Sequence, residues 1–185
     1  MEVAPLVAEV LKRQQVHVTF FAANERTKEG DGSLGDHWAP WWRARAAEGH
    51  EFASHTWNHT YWRADAGPDA EPRFRVRPSA GPRSGQELEI DAAGYCAEIA
   101  SASRRLQEIT GQKPLPLFRA PGGKTSPRLL RVAKACGYAR GCAEFCVNGQ
   151  STAGASRPVR KHNEHQETRR TRRTAVWPAG QLQEA

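Results

Sequence analysis

The sequence predicts an α/β fold with a mostly parallel sheet. Two observations carry this expectation. Short β-branched or aromatic runs alternate with helical periods over the first 141 residues, the pattern of strand–helix–strand units. The punctuation agrees, because Pro falls near helix starts and Gly just past helix ends. With 185 residues, the chain is long enough for one domain with its own core.

The elements follow in order. Residues 4–15, "APLVAEVLKRQQ", place Leu6, Val7, Val10 and Leu11 on one helical face. "VHVTFFAA" (16–23) is β-branched and aromatic and reads as a buried strand. After a polar, Gly-rich loop, "HWAPWWRARAAEG" reads as a helix, with Pro40 in its first turn and Gly49 beyond its end. "HEFASHT" (50–56) is a second strand. Residues 64–86 hold four prolines and three glycines and read as a long loop. "DAAGYCAEIASASRRLQEITG" (91–111) is the clearest helix: Asp91 caps it, Ile99, Leu106 and Ile109 mark its apolar stripe, and Gly111 stops it. "PLPLFRAPGG" (114–123) is a short strand ending in a turn. "SPRLLRVAKACG" is a helix with Ser126 at the N-cap, Pro127 at N1 and Gly137 past its end, and "YARGCAEF" is one more short strand.

The periodicity stops near residue 141. Residues 142–185 carry seven Lys and Arg against four Asp and Glu, including "RRTRR" at 169–173. This tail reads as a polar, basic, disordered segment. A basic run without a nucleic-acid reader fold implies solvated chain, so no nucleic-acid partner is expected. No apolar run approaches the roughly 20 residues that span a bilayer. The N-terminus lacks the basic start and small-residue cleavage site of a signal peptide, so no export address is read and the compartment stays open. Cys96, Cys136, Cys142 and Cys146 match no zinc-finger spacing and are expected as free, buried thiols.

Two short motifs carry chemistry. In "SHTWNH", His55 and His59 stand four apart after a strand. On one helical turn, two imidazoles at that spacing face the same way and can share a metal. The ordinary alternative is a pair of hydrogen-bonded histidines. In "FRAPGG" (118–123), Arg119 can orient a carboxylate and the Gly122 N–H can face a developing oxyanion. The ordinary alternative is a β-turn with a surface arginine. Five of the six tryptophans lie between residues 38 and 62. Trp41 and Trp42 suit a core, whereas Trp57, between the histidines, suits a site wall.

Taken in order, "TFF", "GHEFASHTWNH", "LFRAPGG" and "ACGY" resemble the NodB-homology polysaccharide deacetylases, carbohydrate esterase family four. The resemblance covers about residues 4–141. H-[ST]-x-x-H is matched by His55, Thr56 and His59, and R-x-P-x-G by Arg119, Pro121 and Gly123. It implies a distorted (β/α) barrel, here incomplete and followed by an irregular tail. It implies a hydrolase acting on non-peptide carbon–nitrogen bonds, removing N- or O-acetyl groups from a polysaccharide or oligosaccharide, with one divalent metal, usually zinc. By resemblance, His55 and His59 ligate the metal, Arg119 orients the base, and the Gly122 amide helps hold the oxyanion. Trp57, Pro121 and Gly123 would line the substrate.

The chain departs from the family at two motifs. T-F-D-D-G supplies the base and the third ligand, yet the first aspartate here is Asp31. On the family pattern that motif falls upstream of Met1. The L-x-H motif that supplies the general acid has no counterpart, since His162 and His165 lie in the polar tail. The expectation is therefore a deacetylase family member of impaired or absent activity with an incomplete metal site. A non-catalytic carbohydrate-binding remnant is the alternative.

Overall fold

The computed structural model describes residues 1 and 3–141. The expected disordered tail, Cys142 and Cys146 lie outside the described residues. In chain order the elements are α1 (Ala4–Gln14), β1 (Thr19–Ala22), α2 (Ala39–Ala47), β2 (Glu51–Ser54), β3 (Thr60–Ala66), β4 (Arg73–Pro78), β5 (Leu88–Asp91), α3 (Ala92–Thr110), β6 (Leu117–Phe118), α4 (Pro127–Ala135) and β7 (Ala139–Arg140). Short 3-10 turns cover Asp36–Trp38 and Pro121–Gly123.

Strands β1, β2, β6 and β7 form one sheet in that order, and each pair runs parallel. Parallel strands need covered crossovers, and α2 and α3 pack over β2. Phe52 and Ala53 of β2 are fully buried, as their apolar run predicts. Neither this sheet nor the second one closes, so the described chain is an incomplete barrel.

The second sheet corrects the sequence reading. Residues 64–86 are not one long loop: β3, β4 and β5 pair antiparallel across that stretch. In "RFRVRP", Phe74, Val76 and Pro78 are buried while Arg73, Arg75 and Arg77 are exposed. That is period-two patterning, hidden in the sequence by the surrounding Pro and Gly. Phe74 and Val76 join Tyr95, Ile99, Phe118 and Leu129 in one core cluster.

Helix α3 follows its sequence signals closely. The Asp91 carboxylate accepts from the Gly94 N–H at 2.7 Å, and Gly111 ends the helix at φ 71°. Its buried stripe is Tyr95, Ile99, Ala102, Leu106 and Ile109, the three- and four-residue spacing of one helical face. In α4 the Ser126 side chain caps the Leu129 N–H. Helix α1 differs. Its Leu6, Val7 and Val10 share a face as predicted, yet they are 63%, 42% and 39% exposed.

The cysteine expectation is corrected as well. Cys96 of α3 and Cys136 at the end of α4 are joined as a disulfide, with Cα atoms 6.1 Å apart. Four cysteines in a long chain suggested free thiols, but the packing of α4 against α3 sets these two side by side, 40 residues apart in sequence. Such a bridge restricts the unfolded chain.

Candidate metal and deacetylation site

The segment from His55 to His59 is a tight loop between β2 and β3, not a helical turn. Thr56 and His59 both adopt positive φ, 66° and 48°. Non-glycine residues hold such angles only where surrounding contacts fix them. Those contacts are present. The Thr56 hydroxyl accepts from the Thr60 N–H at 2.7 Å, and the Ser54 hydroxyl accepts from the Thr56 N–H.

Glu98, on α3, fastens the loop from below. Its carboxylate accepts from the Asn58 N–H (2.9 Å), the Asn58 amide (2.7 Å) and the Thr60 hydroxyl (3.0 Å). Its backbone carbonyl accepts from the Trp57 N–H at 2.8 Å. Hydrogen bonds to a carboxylate are stronger than neutral ones, so one side chain holds most of the turn. Sequence reasoning missed Glu98, because nothing local separates it from Glu108, the other acidic residue on α3.

The two histidine rings lie 4.8 Å apart between centroids. His55 Nδ1–H donates to the Arg119 carbonyl at 2.7 Å. A carbonyl can only accept, so the bond fixes the tautomer and leaves Nε2 as the free lone pair. Burial pushes the His55 pKa below its ordinary value, which keeps the ring neutral. His59 Nδ1 meets the Glu25 carboxylate at 2.8 Å and the Ser79 hydroxyl at 2.6 Å. The hydrogen bond from His59 is the main cause holding Glu25 below the usual carboxylate range. Imidazoles that ligate metals carry this kind of outer partner on the second nitrogen. Glu25 and Ser79 are further residues that sequence reasoning missed, lying 34 residues before and 20 after His59.

The second motif meets the first through backbone. Arg119 N–H donates to the Ser54 carbonyl, and its own carbonyl receives His55. Its guanidinium is exposed, with no acidic partner among the described residues. Pro121 is buried, and Gly122 and Gly123 take φ 67° and 70°. A Cβ at Gly122 would stand 3.0 Å from the Tyr61 ring, so both conformation and space require glycine there. The Gly122 N–H has no acceptor among the described residues. Gly123 has open space around it. Trp57 lies half-buried against the core cluster of Leu34, Trp42 and Phe52. A separate cleft lies between α1 and Trp41.

The donor chemistry fits a divalent metal at two positions, the imidazoles of His55 and His59. Among the described residues no third His, Cys, Asp or Glu completes a set with them. Glu25 approaches His59 at Nδ1, the side away from the free lone pair, so it serves as an outer partner.

The family model for polysaccharide deacetylases matches residues 1–141. The chain belongs to the polysaccharide deacetylase family, the carbohydrate esterase family 4 of sugar deacetylases. One relative, a chitooligosaccharide deacetylase of Azorhizobium caulinodans, is 27% identical over 135 residues, covering 73% of this chain and 49% of the relative. An uncharacterised 30.6 kDa protein of Geobacillus stearothermophilus is 25% identical over 132 residues, covering 71% and 37%. The chain thus spans less than half the length of these relatives. Among solved structures, a CE4 family pseudoenzyme from Bacillus anthracis shares the fold at TM-score 0.50 and 17% identity, over 75% of this chain and 37% of that one.

Proposed function

We propose that His55 and His59 are two ligands of a divalent metal, zinc by preference, in a site that hydrolyses N- or O-acetyl groups of a polysaccharide. We also infer that this polypeptide performs the reaction weakly. One observation carries the reading: the His55–Arg119 hydrogen bond joins the two motifs into one site, with each imidazole tied at Nδ1. A divalent metal supplies Lewis-acid polarisation of the acetyl carbonyl. The residues of the chain do the rest. The Gly122 N–H, open in the turn, donates toward the oxygen on which charge develops. The exposed Arg119 guanidinium is free to orient a carboxylate, which the described residues do not supply. The Arg119 carbonyl, Glu25 and Ser79 keep both imidazoles in the tautomer that presents Nε2.

Weak activity follows from the donor count. A catalytic zinc site uses three protein ligands, and the described residues bring two. Loss of a general acid or base costs about 10²–10⁴-fold each. Acetate release from acetylated chito-oligomers, with and without added zinc, tests this. The expected result is slow, zinc-stimulated release that His55→Ala abolishes. Robust turnover with submicromolar zinc affinity refutes weak activity, and release indifferent to zinc and to His55 refutes the site. The same donor count favours a second reading, a non-catalytic carbohydrate binder. Glycan binding in a chelator, lost on Trp57→Ala and without any acetate release, would establish that reading instead.

A further inference from the structure

The exposed face of the antiparallel sheet carries a row of arginines. Arg73, Arg75 and Arg77 alternate along β4, the middle strand, and all three side chains face solvent. Alternate residues on a strand stand about 7 Å apart, so the three form a row. On β5, Asp91 stands opposite Arg73 and Glu89 opposite Arg75, and the Asp91 carboxylate is engaged in capping α3. Glu89 pairs with Arg73 at 3.6 Å, whereas Arg75 and Arg77 have no acidic partner among the described residues.

The open end of the row points toward the histidines. Arg77 is the cross-strand partner of Tyr61, and directly opposed residues share a face. The Tyr61 ring lies 4.9 Å from His59 and borders Gly122. The Arg63 guanidinium sits over the same ring, 5.8 Å from its centre, at the bulge between Trp62 and Ala64. Tyr61 therefore joins the candidate site to the guanidiniums of Arg75, Arg77 and Arg63, which have no ion-pair partner among the described residues. Ordinary exposed sheets intersperse both signs of charge. Arginine forks match carboxylates in geometry and charge.

We propose that this face binds an anionic glycan, a chain with carboxylate-bearing sugars, and runs it past Tyr61 to the histidine pair. The choice of a glycan rests on the deacetylase reading above, while the choice of a polyanion rests on the arginine row alone. Charge complementarity selects the occupant: a neutral sugar chain gains nothing from unpaired guanidiniums, whereas one with regularly spaced carboxylates meets them in turn.

The test is equilibrium binding to the full chain, in chelator and low salt, of three probes: hyaluronan hexasaccharide, neutral chitohexaose and a twelve-residue oligothymidylate. The hyaluronan probe should bind about tenfold tighter than chitohexaose, and Arg75→Gln/Arg77→Gln should remove most of that preference, as expected for about two exposed ion pairs. Arg13→Gln/Arg43→Gln, which loses the same charge away from the sheet, should keep it. If the double variant at 75 and 77 does not fold, each single change should show the same ordering at smaller size. Equal binding of both sugars overturns the proposal, as does equal loss in the two double variants. Oligothymidylate bound as tightly, and lost with the same substitutions, replaces the glycan with nucleic acid. Because chelator is present throughout, failure of zinc binding or of acetate release leaves these outcomes readable.

Discussion

The histidine loop and helix α1 stand at opposite extremes of local commitment. Between His55 and Thr60 the backbone takes two unfavourable φ angles, and hydrogen bonds from β2, α3 and the Arg119 turn hold it there. Helix α1 has unstrained helical backbone, yet three of its apolar side chains face solvent. The difference teaches that regular structure and fixed structure are separate properties. Strain persists where neighbours over-determine it, while a helix with its apolar face uncovered gains little beyond its own propensity.

The strongest way to break this comparison is at Glu98. Glu98→Ala removes the acceptor of three loop donors at once, and donors left unmet cost roughly 1–3 kcal/mol each when buried. These groups are partly buried, so the expected loss is about 2–4 kcal/mol in denaturant unfolding. Any zinc affinity should fall at least about tenfold with it. Wild-type stability in this variant would show that the loop holds itself.

Gly122→Ala probes the same loop from the other side. It forces a Cβ to 3.0 Å from the Tyr61 ring at φ 67°. The expected cost is about 1–2 kcal/mol in thermal or denaturant melts, with weaker acetate release. Gly123→Ala, with free space around it, should lose only the backbone share of that cost.

His50 lies at the seam between α1 and β2. It is buried, and its Nδ1 accepts from the Val18 N–H at 3.2 Å. Burial is the main cause lowering its pKa, and Glu48, 3.7 Å away, offsets this only in part. A histidine held below its unfolded pKa binds fewer protons in the native state. Its share of stability is therefore complete above about pH 6.5 and lost as pH falls below that value. His50→Gln should flatten this part of the stability–pH curve between pH 7 and 5. An unchanged curve would place the titration elsewhere.

The smallest effect belongs to α1. Leu6→Ser should change stability by less than about 0.5 kcal/mol, the range of exposed substitutions. A larger loss by calorimetric melting would mean that this face is covered in solution, and the contrast with the loop would fail.

What the sequence revealed tracks how local each signal is. Asp91, Gly111, Ser126 and Pro127 act within one turn of their own helix, so α3 and α4 were legible to the residue. The histidines and Arg119 were legible as types and spacings. Their geometry was not, because the loop is set by Glu98, Glu25 and Ser79 from distant segments. The antiparallel sheet was obscured by composition, since Pro and Gly outweighed the alternation in "RFRVRP". The Cys96–Cys136 pair depends on two helices meeting, which spacing alone does not encode.

The central claim is that the loop exists to present two imidazoles to one metal ion. Calorimetric zinc titration of the metal-free chain tests it most directly. The account predicts one exchangeable, weakly held ion per chain, lost in both His55→Ala and His59→Ala. Zinc uptake that survives the double substitution, or no uptake by the folded wild-type chain, would contradict it.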